Sequence, residues 1–203
     1  MISIIIPFYN EEDNLKILLP NLLQSVSNKY ELIFVNDGSE DESEKVLLDY
    51  LNSKSNSLKY QYFKHIKRMG IGAVFKTGIS NASGTHLTML ASDNEDNIQD
   101  IIKSGKLITS YTTIMMYNKN SAETRVFIRR LLSILFRTYL NTRFNTKILY
   151  FNAMGNIYKL DLLRKINITS KGFFSLAEIS IKMNKMEGGD VIHCPRSLSP
   201  RSS

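Results

Sequence analysis

The feature that most constrains the fold of this chain is a short apolar segment that runs directly into acidic residues. Residues 87–91 are apolar except for Thr88, and the run 92–96 (Ser-Asp-Asn-Glu-Asp) follows at once. An apolar run of this length, closed by polar turn formers, indicates a buried β-strand that ends in a loop. Because open α/β sheets bind ligands beyond the carboxyl ends of their strands, the segment predicts a ligand site at its acidic end.

The acidic residues of this segment are suited to a divalent cation. Hard cations take oxygen ligands and bridge to phosphate groups. The simpler interpretation is an acidic turn at the start of the helix predicted near Asn97, because negative charge is favourable at a helix N-terminus. The segment by itself leaves both interpretations open.

Apolar runs that alternate with helical periodicity predict an α/β fold. Residues 2–6, 31–35 and 58–63 are interpreted as strands, with amphipathic helices between them. The first strand is expected to end at Pro7, and Pro20 is expected to kink or break the first helix. Strands and helices that alternate over short connections predict a mostly parallel central sheet flanked by helices.

The second half of the chain has a looser pattern. Residues 107–117 and 190–194 are interpreted as strands, and residues 122–140 as a helix with arginines on one side and apolar residues on the other. We expect a single domain over residues 1–195 and a loose, solvated tail over residues 196–203.

Composition narrows the class of protein. The net charge of +7 favours anionic partners such as phosphates, a membrane surface or nucleic acid. The single cysteine excludes an intrachain disulfide and suits a reducing compartment. The sequence shows neither a secretory leader nor an apolar run near the roughly 18 residues of a membrane span. We therefore expect a cytoplasmic protein that is either soluble or bound peripherally to the inner face of a membrane.

Polar residues also end two further predicted strands. Tyr9 and Glu11 follow the first strand, and Asn36-Asp37-Gly38-Ser39 follows the second. In a parallel sheet these ends open on the same edge as Asp93. Asp37 is placed to accept hydrogen bonds from a base or a ribose, and an ordinary Asx turn is the alternative interpretation.

A basic pair precedes two glycines in the segment 67–73 (Lys-Arg-Met-Gly-Ile-Gly-Ala), just before a predicted helix over residues 71–81. Backbone amides and a cation at such a position suit a diphosphate. The segment has neither the Gly-Lys-Ser/Thr of a P-loop nor the third glycine of a dinucleotide fingerprint.

These motifs occur along the chain in a fixed order. They are the segment 2–12, Val35-Asn-Asp-Gly-Ser39, the glycine-containing run 70–84 and the strand end at Asp93. In this order they resemble the family 2 glycosyltransferases of GT-A (Rossmann-like) fold, and most of all the polyprenyl-phosphate sugar transferases of the dolichol-phosphate-mannose type. The resemblance covers residues 1–100 well and continues weakly beyond them.

The resemblance implies a UDP- or GDP-sugar donor and a divalent cation, Mg²⁺ or Mn²⁺, as cofactor. Residues 1–100 would form the nucleotide-sugar-binding half, and residues 101–195 the acceptor-side half. The residues that match the family's donor positions are Pro7, Tyr9, Glu11 and Asp37 for the nucleoside, with Arg68 and Gly70 near the donor.

The metal position departs from the family pattern. Asp93 matches the last carboxylate of the family's Asp-x-Asp motif, but Ala91 stands where the first Asp is expected. The resemblance therefore places the metal on Asp93 with Glu95 or the donor diphosphate. A cation there, helped by Arg68, would stabilise the charge that develops on the leaving nucleoside diphosphate.

The acceptor decides the remaining chemistry. A hydroxyl acceptor needs a carboxylate base, and Glu178 matches the family's acceptor-side acidic position. A polyprenyl phosphate is already anionic and needs cations, which Arg125, Arg129 and Arg130 would supply. The same basic amphipathic helix would dock on an anionic membrane surface. A solvated Glu178 and a plain exposed helix face are the alternative interpretations.

We therefore predict a metal-dependent, inverting glycosyltransferase with Asp93, Glu178 and Arg68 as catalytic residues. It would move a sugar from a nucleotide donor to a membrane-linked polyprenyl phosphate or to a saccharide. The alternative is a non-catalytic relative that binds nucleotide sugars and has lost the first metal Asp. We predict no nucleic-acid partner, because no basic patch with interleaved aromatic residues and no reader motif accompanies the charge.

Overall fold

The computed structural model describes residues 1–53, 59–108, 113–118, 127–170, 172–186 and 191–197, without the side chains of residues 127–130. Its strands are β1 Ile2–Phe8, β2 Tyr30–Asn36, β3 Lys59–Lys64, β4 His86–Met89, β5 Thr113–Asn118, β6 Tyr158–Lys159 and β7 Val191–Arg196. Its helices are α1 Glu12–Ser25, α2 Ser43–Asn52, α3 Ile71–Asn81, α4 Ile98–Gly105, α5 Phe127–Phe144, α6 Leu160–Leu163 and α7 Phe174–Met186.

The central sheet has the strand order β3-β2-β1-β4-β6. Strands β1 to β4 are parallel and β6 runs antiparallel beside β4, so the predicted mostly parallel sheet flanked by helices is confirmed. The chain builds outward from β1 to β3 and then crosses to β4 on the other side of β1. This reversal of strand order between β1 and β4 is where an open α/β sheet forms its ligand crevice.

Both faces of the sheet are covered. Ile4 and Ile6 of β1 pack with Leu19 of α1 on one face, and Ile5 packs with Phe75 of α3 on the other. Successive side chains of a strand point to opposite faces, so a strand buried on both sides must be apolar at every position. This burial explains the continuous isoleucine run at the start of the chain.

Neither Pro7 nor Pro20 ends its element, so the strand end predicted at Pro7 and the helix break considered at Pro20 do not occur. β1 continues through Pro7 to Phe8, while its pairing with β4 has already stopped at Ile5 and Met89. Residues two apart in a strand direct their backbone groups to the same side, so Pro7 faces β4 as Ile5 does. Because the pairing with β4 has ended before Pro7, the N–H that proline lacks would have had no partner in the sheet. α1 also continues through Pro20, because its apolar face is buried before and after that residue.

The smaller parallel sheet of β5 and β7 lies beside β6, joined through a bridge between Ile114 and Ile157. The strand predicted over residues 107–117 corresponds to β5 from residue 113, and residues 109–112 lie outside the described residues. The boundary predicted for the loose tail falls inside β7. Arg196 ends that strand and is buried, because its guanidinium has partners in the domain.

Candidate active site

A cavity of about 700 Å³ opens at the carboxyl ends of β1, β2 and β4. It lies at the switch point of the sheet, the position where parallel α/β sheets bind ligands. The cavity wall contains every residue predicted for the donor and the metal: Pro7, Tyr9, Glu11, Asp37, Arg68, Gly70, Asp93 and Glu95. Residues far apart in the sequence meet here because their strands end on the same edge.

The Asp37 carboxylate fastens the basic segment 67–70 to the end of β2. Its Oδ1 accepts a hydrogen bond from Met69 N (2.9 Å), and its Oδ2 accepts one from Gly70 N (2.8 Å). The side chain that stabilises this turn belongs to the neighbouring Asn36, whose Oδ1 accepts from Ser39 N, three residues on. Asp37 is therefore available to shape the cavity and is not used to close its own turn.

The turn at Gly38 requires glycine for two reasons. Its φ of +81° lies in the left-handed region that favours glycine. A Cβ atom there would also stand 2.5 Å from the backbone carbon of Lys67. The close approach of these two backbones brings the segment 67–70 against the cavity.

The basic segment presents a cation and a helix start to the cavity. The guanidinium of Arg68 lies over the ring of Tyr9, 4.4 Å from its centroid. α3 begins immediately afterwards, and Gly70 and Ile71 both line the cavity. A fixed cation beside a helix N-terminus is favourable for a phosphate or diphosphate.

The acidic loop after β4 is held open towards the cavity. Asp93 Oδ1 accepts from Glu95 N (3.2 Å), and Asn94, with a φ of +59°, donates from its side chain to Asn14 O on α1. The N-cap of α4 is Asn97, whose side chain accepts from the backbone. Because Asn97 caps this helix, the carboxylates of Asp93 and Glu95 are not needed as caps.

The buried ion pair of Asp96 and Arg196 completes the acidic side of the cavity, and the sequence did not predict it. Arg196 donates to Asp96 and, through Nε, to Asn118 Oδ1 (2.7 Å). Burial raises the pKa of Asp96, Arg196 opposes that rise, and nearby Asp93 adds to it. Partners 100 positions apart leave no local pattern, so only the packing of β7 against this loop reveals them.

The carboxylates fit a cation that arrives with a diphosphate. No group of three or more His, Cys, Asp or Glu side chains forms a metal cage among the residues that the structure describes. Mg²⁺ bound together with substrate phosphates needs only one or two protein carboxylates. Asp93 and Glu95 on the cavity wall supply that number.

The sequence model of glycosyl transferase family 2 matches residues 3–166, from β1 to beyond α6. The chain belongs to this family. A dolichyl-phosphate beta-glucosyltransferase of Mus musculus is 29% identical over 113 residues, which cover 52% of this chain and 35% of the mouse protein. A dolichyl-phosphate beta-glucosyltransferase of Trichomonas vaginalis is 24% identical, with 92% of this chain and 67% of the relative covered. The chain thus spans about a third of the mouse protein's length.

Solved structures show the same fold. Glucosyl-3-phosphoglycerate synthase from Mycobacterium tuberculosis, in complex with Mn²⁺, UDP-glucose and phosphoglyceric acid, superposes with a TM-score of 0.77 at 15% identity. The superposition covers 100% of this chain and 72% of that structure. The GT-A fold expected from the sequence is confirmed.

Glu178, the base suggested by the family 2 resemblance, lies on α7 and does not line the cavity described above. Its carboxylate accepts from Ser170 N (2.7 Å) and Thr169 N (3.0 Å) and pairs with Lys182. Burial raises its pKa, but these partners outweigh burial and lower it to about 2. The geometry gives the predicted base role no support; Glu178 fastens the turn before α7.

The arginines assigned to a family 2 acceptor phosphate remain a prediction. Arg125 lies outside the described residues. Arg129 and Arg130 belong to α5, but their side chains also lie outside the described part of the structure. The described portion of α5 carries a further cation at Arg137, which donates to Leu149 O beside the cavity segment 150–154.

Proposed function

We propose that this chain is a metal-dependent, inverting glycosyltransferase that moves a sugar from UDP to a polyprenyl phosphate. The observation that carries the proposal is the single cavity in which Asp37, Arg68 and Asp93 meet at the switch point of the sheet. The names of the relatives support a lipid-phosphate acceptor, and the UDP complexes of the structural neighbour support the donor.

Different residues of the cavity bind different parts of the donor. Asp37 holds the segment 67–70 at the nucleoside end, and Arg68 faces the diphosphate. Asp93 and Glu95 would hold the divalent cation, which when bound offsets the negative charge of the diphosphate. Arg68 stabilises the same charge without moving, since its guanidinium already stacks on Tyr9.

The position of Glu178 supports a phosphate acceptor over a hydroxyl acceptor. In the transfer, an acceptor oxygen forms a bond to the anomeric carbon as the bond from that carbon to UDP breaks, so the configuration inverts. A phosphate oxygen is anionic and gives up no proton in this step, whereas a hydroxyl group needs a base. Because Glu178 is held outside the cavity, the phosphate acceptor is the better match.

An uncovered apolar surface on α5 supports contact with the membrane that carries such an acceptor. We name the exposed side chains of this helix the α5 patch: Leu131, Leu132, Ile134, Leu135, Phe136 and Tyr139. The ring of Phe136 also packs edge-on against Phe151, which lies between the cavity-lining residues Tyr150 and Asn152. None of the described helices is both long and apolar enough to cross a bilayer. We therefore propose that the α5 patch lies in the membrane interface next to the cavity.

The proposed activity predicts a metal-dependent signal in two assays. Calorimetry should show UDP binding that strengthens on addition of Mn²⁺, and UDP-glucose with Mn²⁺ should glucosylate a polyprenyl phosphate. Glu178→Gln should retain transfer within about threefold, whereas loss of a general base costs about 10²–10⁴-fold. UDP binding without any transfer would favour the non-catalytic relative that Ala91 suggests, and no UDP binding would contradict the proposal.

The membrane contact predicts that one charge on the α5 patch weakens vesicle binding. Leu135 is 57% exposed, and Leu135→Glu should reduce co-sedimentation with vesicles containing an anionic phospholipid by about tenfold or more. Ile17→Glu is the matched control, because Ile17 is 49% exposed on α1, away from the patch. Equal sedimentation of wild type and Leu135→Glu with the vesicles would rule out the α5 patch as the membrane-binding surface.

A further inference from the structure

His65 lies just after β3 and links three elements around the cavity. Its Nδ1 is 2.8 Å from Asp37 Oδ1, and its Nε2 is 2.9 Å from Thr77 Oγ1 on α3. Its backbone N–H donates to Asn36 O (2.8 Å) at the end of β2. The side chain is 11% exposed, so both ring nitrogens are satisfied by the protein.

The hydrogen-bond pattern assigns the roles of the ring nitrogens. An ionised carboxylate only accepts, so Nδ1–H of His65 donates to Asp37 Oδ1. In the neutral ring Nε2 then accepts from the hydroxyl of Thr77. The imidazole is thereby fixed between α3 and the carboxylate that holds Met69 and Gly70.

We propose that His65 is a positioning residue that orients Asp37 for the donor base and makes the site prefer uracil to guanine. The inference rests on the proposed function, because it requires a nucleotide in this cavity. His65 does not line the cavity and acts through Asp37, which does.

The preference follows from the lone pairs left on Asp37. An ionised carboxylate offers about four acceptor positions. His65 and Met69 N take two on Oδ1, and Gly70 N takes one on Oδ2, so one position remains. Uracil presents a single ring N–H donor, whereas guanine presents a ring N–H and an amino group side by side, which pair best with two open oxygens. A guanine would leave one donor without a partner and bind less well.

Two substitutions separate the functions of the two ring nitrogens. The side-chain amide of His65→Asn reproduces the Nδ1–H donor to Asp37, and that of His65→Gln reaches the Nε2 position near Thr77 instead. We expect UDP affinity within about threefold of wild type for His65→Asn, and a loss of about tenfold or more for His65→Gln. Calorimetry with UDP and GDP, together with melting temperatures, provides the measurements.

The ratio of UDP to GDP affinity is the decisive readout. It should fall towards one in His65→Gln, because Oδ1 regains an open position, and should stay near the wild-type value in His65→Asn. An unchanged ratio and affinity in His65→Gln would overturn this inference while the proposed function stands. Equal losses in both variants would show a purely structural role and also overturn it. A wild-type protein that binds no UDP would overturn the proposed function together with this inference.

Discussion

Replacing Asp93 with alanine is expected to remove the Mn²⁺-dependent part of UDP binding and to lower sugar transfer by about 100-fold or more. Asp93 stands on the cavity wall at the end of the β4 loop, and Asp96 beside it is already paired with Arg196. With Ala91 in place of a second aspartate, a cation bound at this loop would depend on Asp93 more strongly than in a motif with two aspartates.

The measurement for Asp93→Ala is calorimetry with UDP in the presence and absence of Mn²⁺, followed by a transfer assay. Metal-independent affinity should persist, because Asp37 and Arg68 are unaltered. Asp13→Ala is the matched control, since the Asp13 side chain is 84% exposed on α1 and pairs with neighbouring Lys16. If the Mn²⁺ effect on UDP binding survives in Asp93→Ala, the metal does not bind at this loop.

Replacing Glu31 with glutamine is expected to lower the free energy of unfolding by about 3 kcal/mol without altering the cavity. Glu31 is fully buried at the start of β2, at the edge of the sheet opposite the cavity. Its carboxylate accepts hydrogen bonds from Ser3 Oγ (2.6 Å), from the backbone and hydroxyl of Ser83 and from Gln61. A glutamine would turn an amide donor towards these donors.

The same carboxylate predicts a dependence of stability on pH. Burial acts to raise the pKa of Glu31, but its hydrogen bonds outweigh burial and lower the pKa from 4.5 to about 2. Because the folded value lies below the unfolded one, the stabilisation is fully present above pH 4.5 and is lost as the pH falls through about 2. Urea unfolding should therefore show a gap between wild type and Glu31→Gln that narrows over this range.

Glu42→Gln is the control for this experiment, because the Glu42 side chain is 65% exposed and its ion pair with Lys45 lies at the surface. Such exposed pairs contribute about 0–1 kcal/mol. A Glu31→Gln protein as stable as the Glu42→Gln control at neutral pH would contradict the assignment of Glu31 as a buried stabilising charge.

The parts of the site that the sequence predicted are those set by strand ends. Asp37 and Asp93 each follow an apolar run, and parallel strands bring such ends to one edge, so their proximity follows from the alternation of strands and helices. The bounds of α3 were predicted from signals within its own sequence. The amphipathic pattern of that helix and its flanking glycine are local signals.

The parts that were missed depend on partners distant in sequence. Arg196 was assigned to a solvated tail because its flanking residues are serine and proline, but Asp96 and Asn118 bury it. Glu178 was assigned to the site, whereas two backbone amides of the turn 169–170 hold it elsewhere. Pro20 lies inside α1 because tertiary packing outweighs one missing backbone hydrogen bond. The placement of these three residues depends on tertiary packing and is not encoded in local composition.

The ion pair between Asp96 and Arg196 has a consequence for the synthesis of this protein. The sheet that carries Asp37 and Asp93 is complete in its first four strands once residue 89 has emerged from the ribosome, but Asp96 lacks its cation until β7 arrives. Until then a buried carboxylate faces the cavity without its counter-charge, which disfavours closure of the acidic loop. The finished pocket therefore requires β7, which supplies Arg196 to its wall.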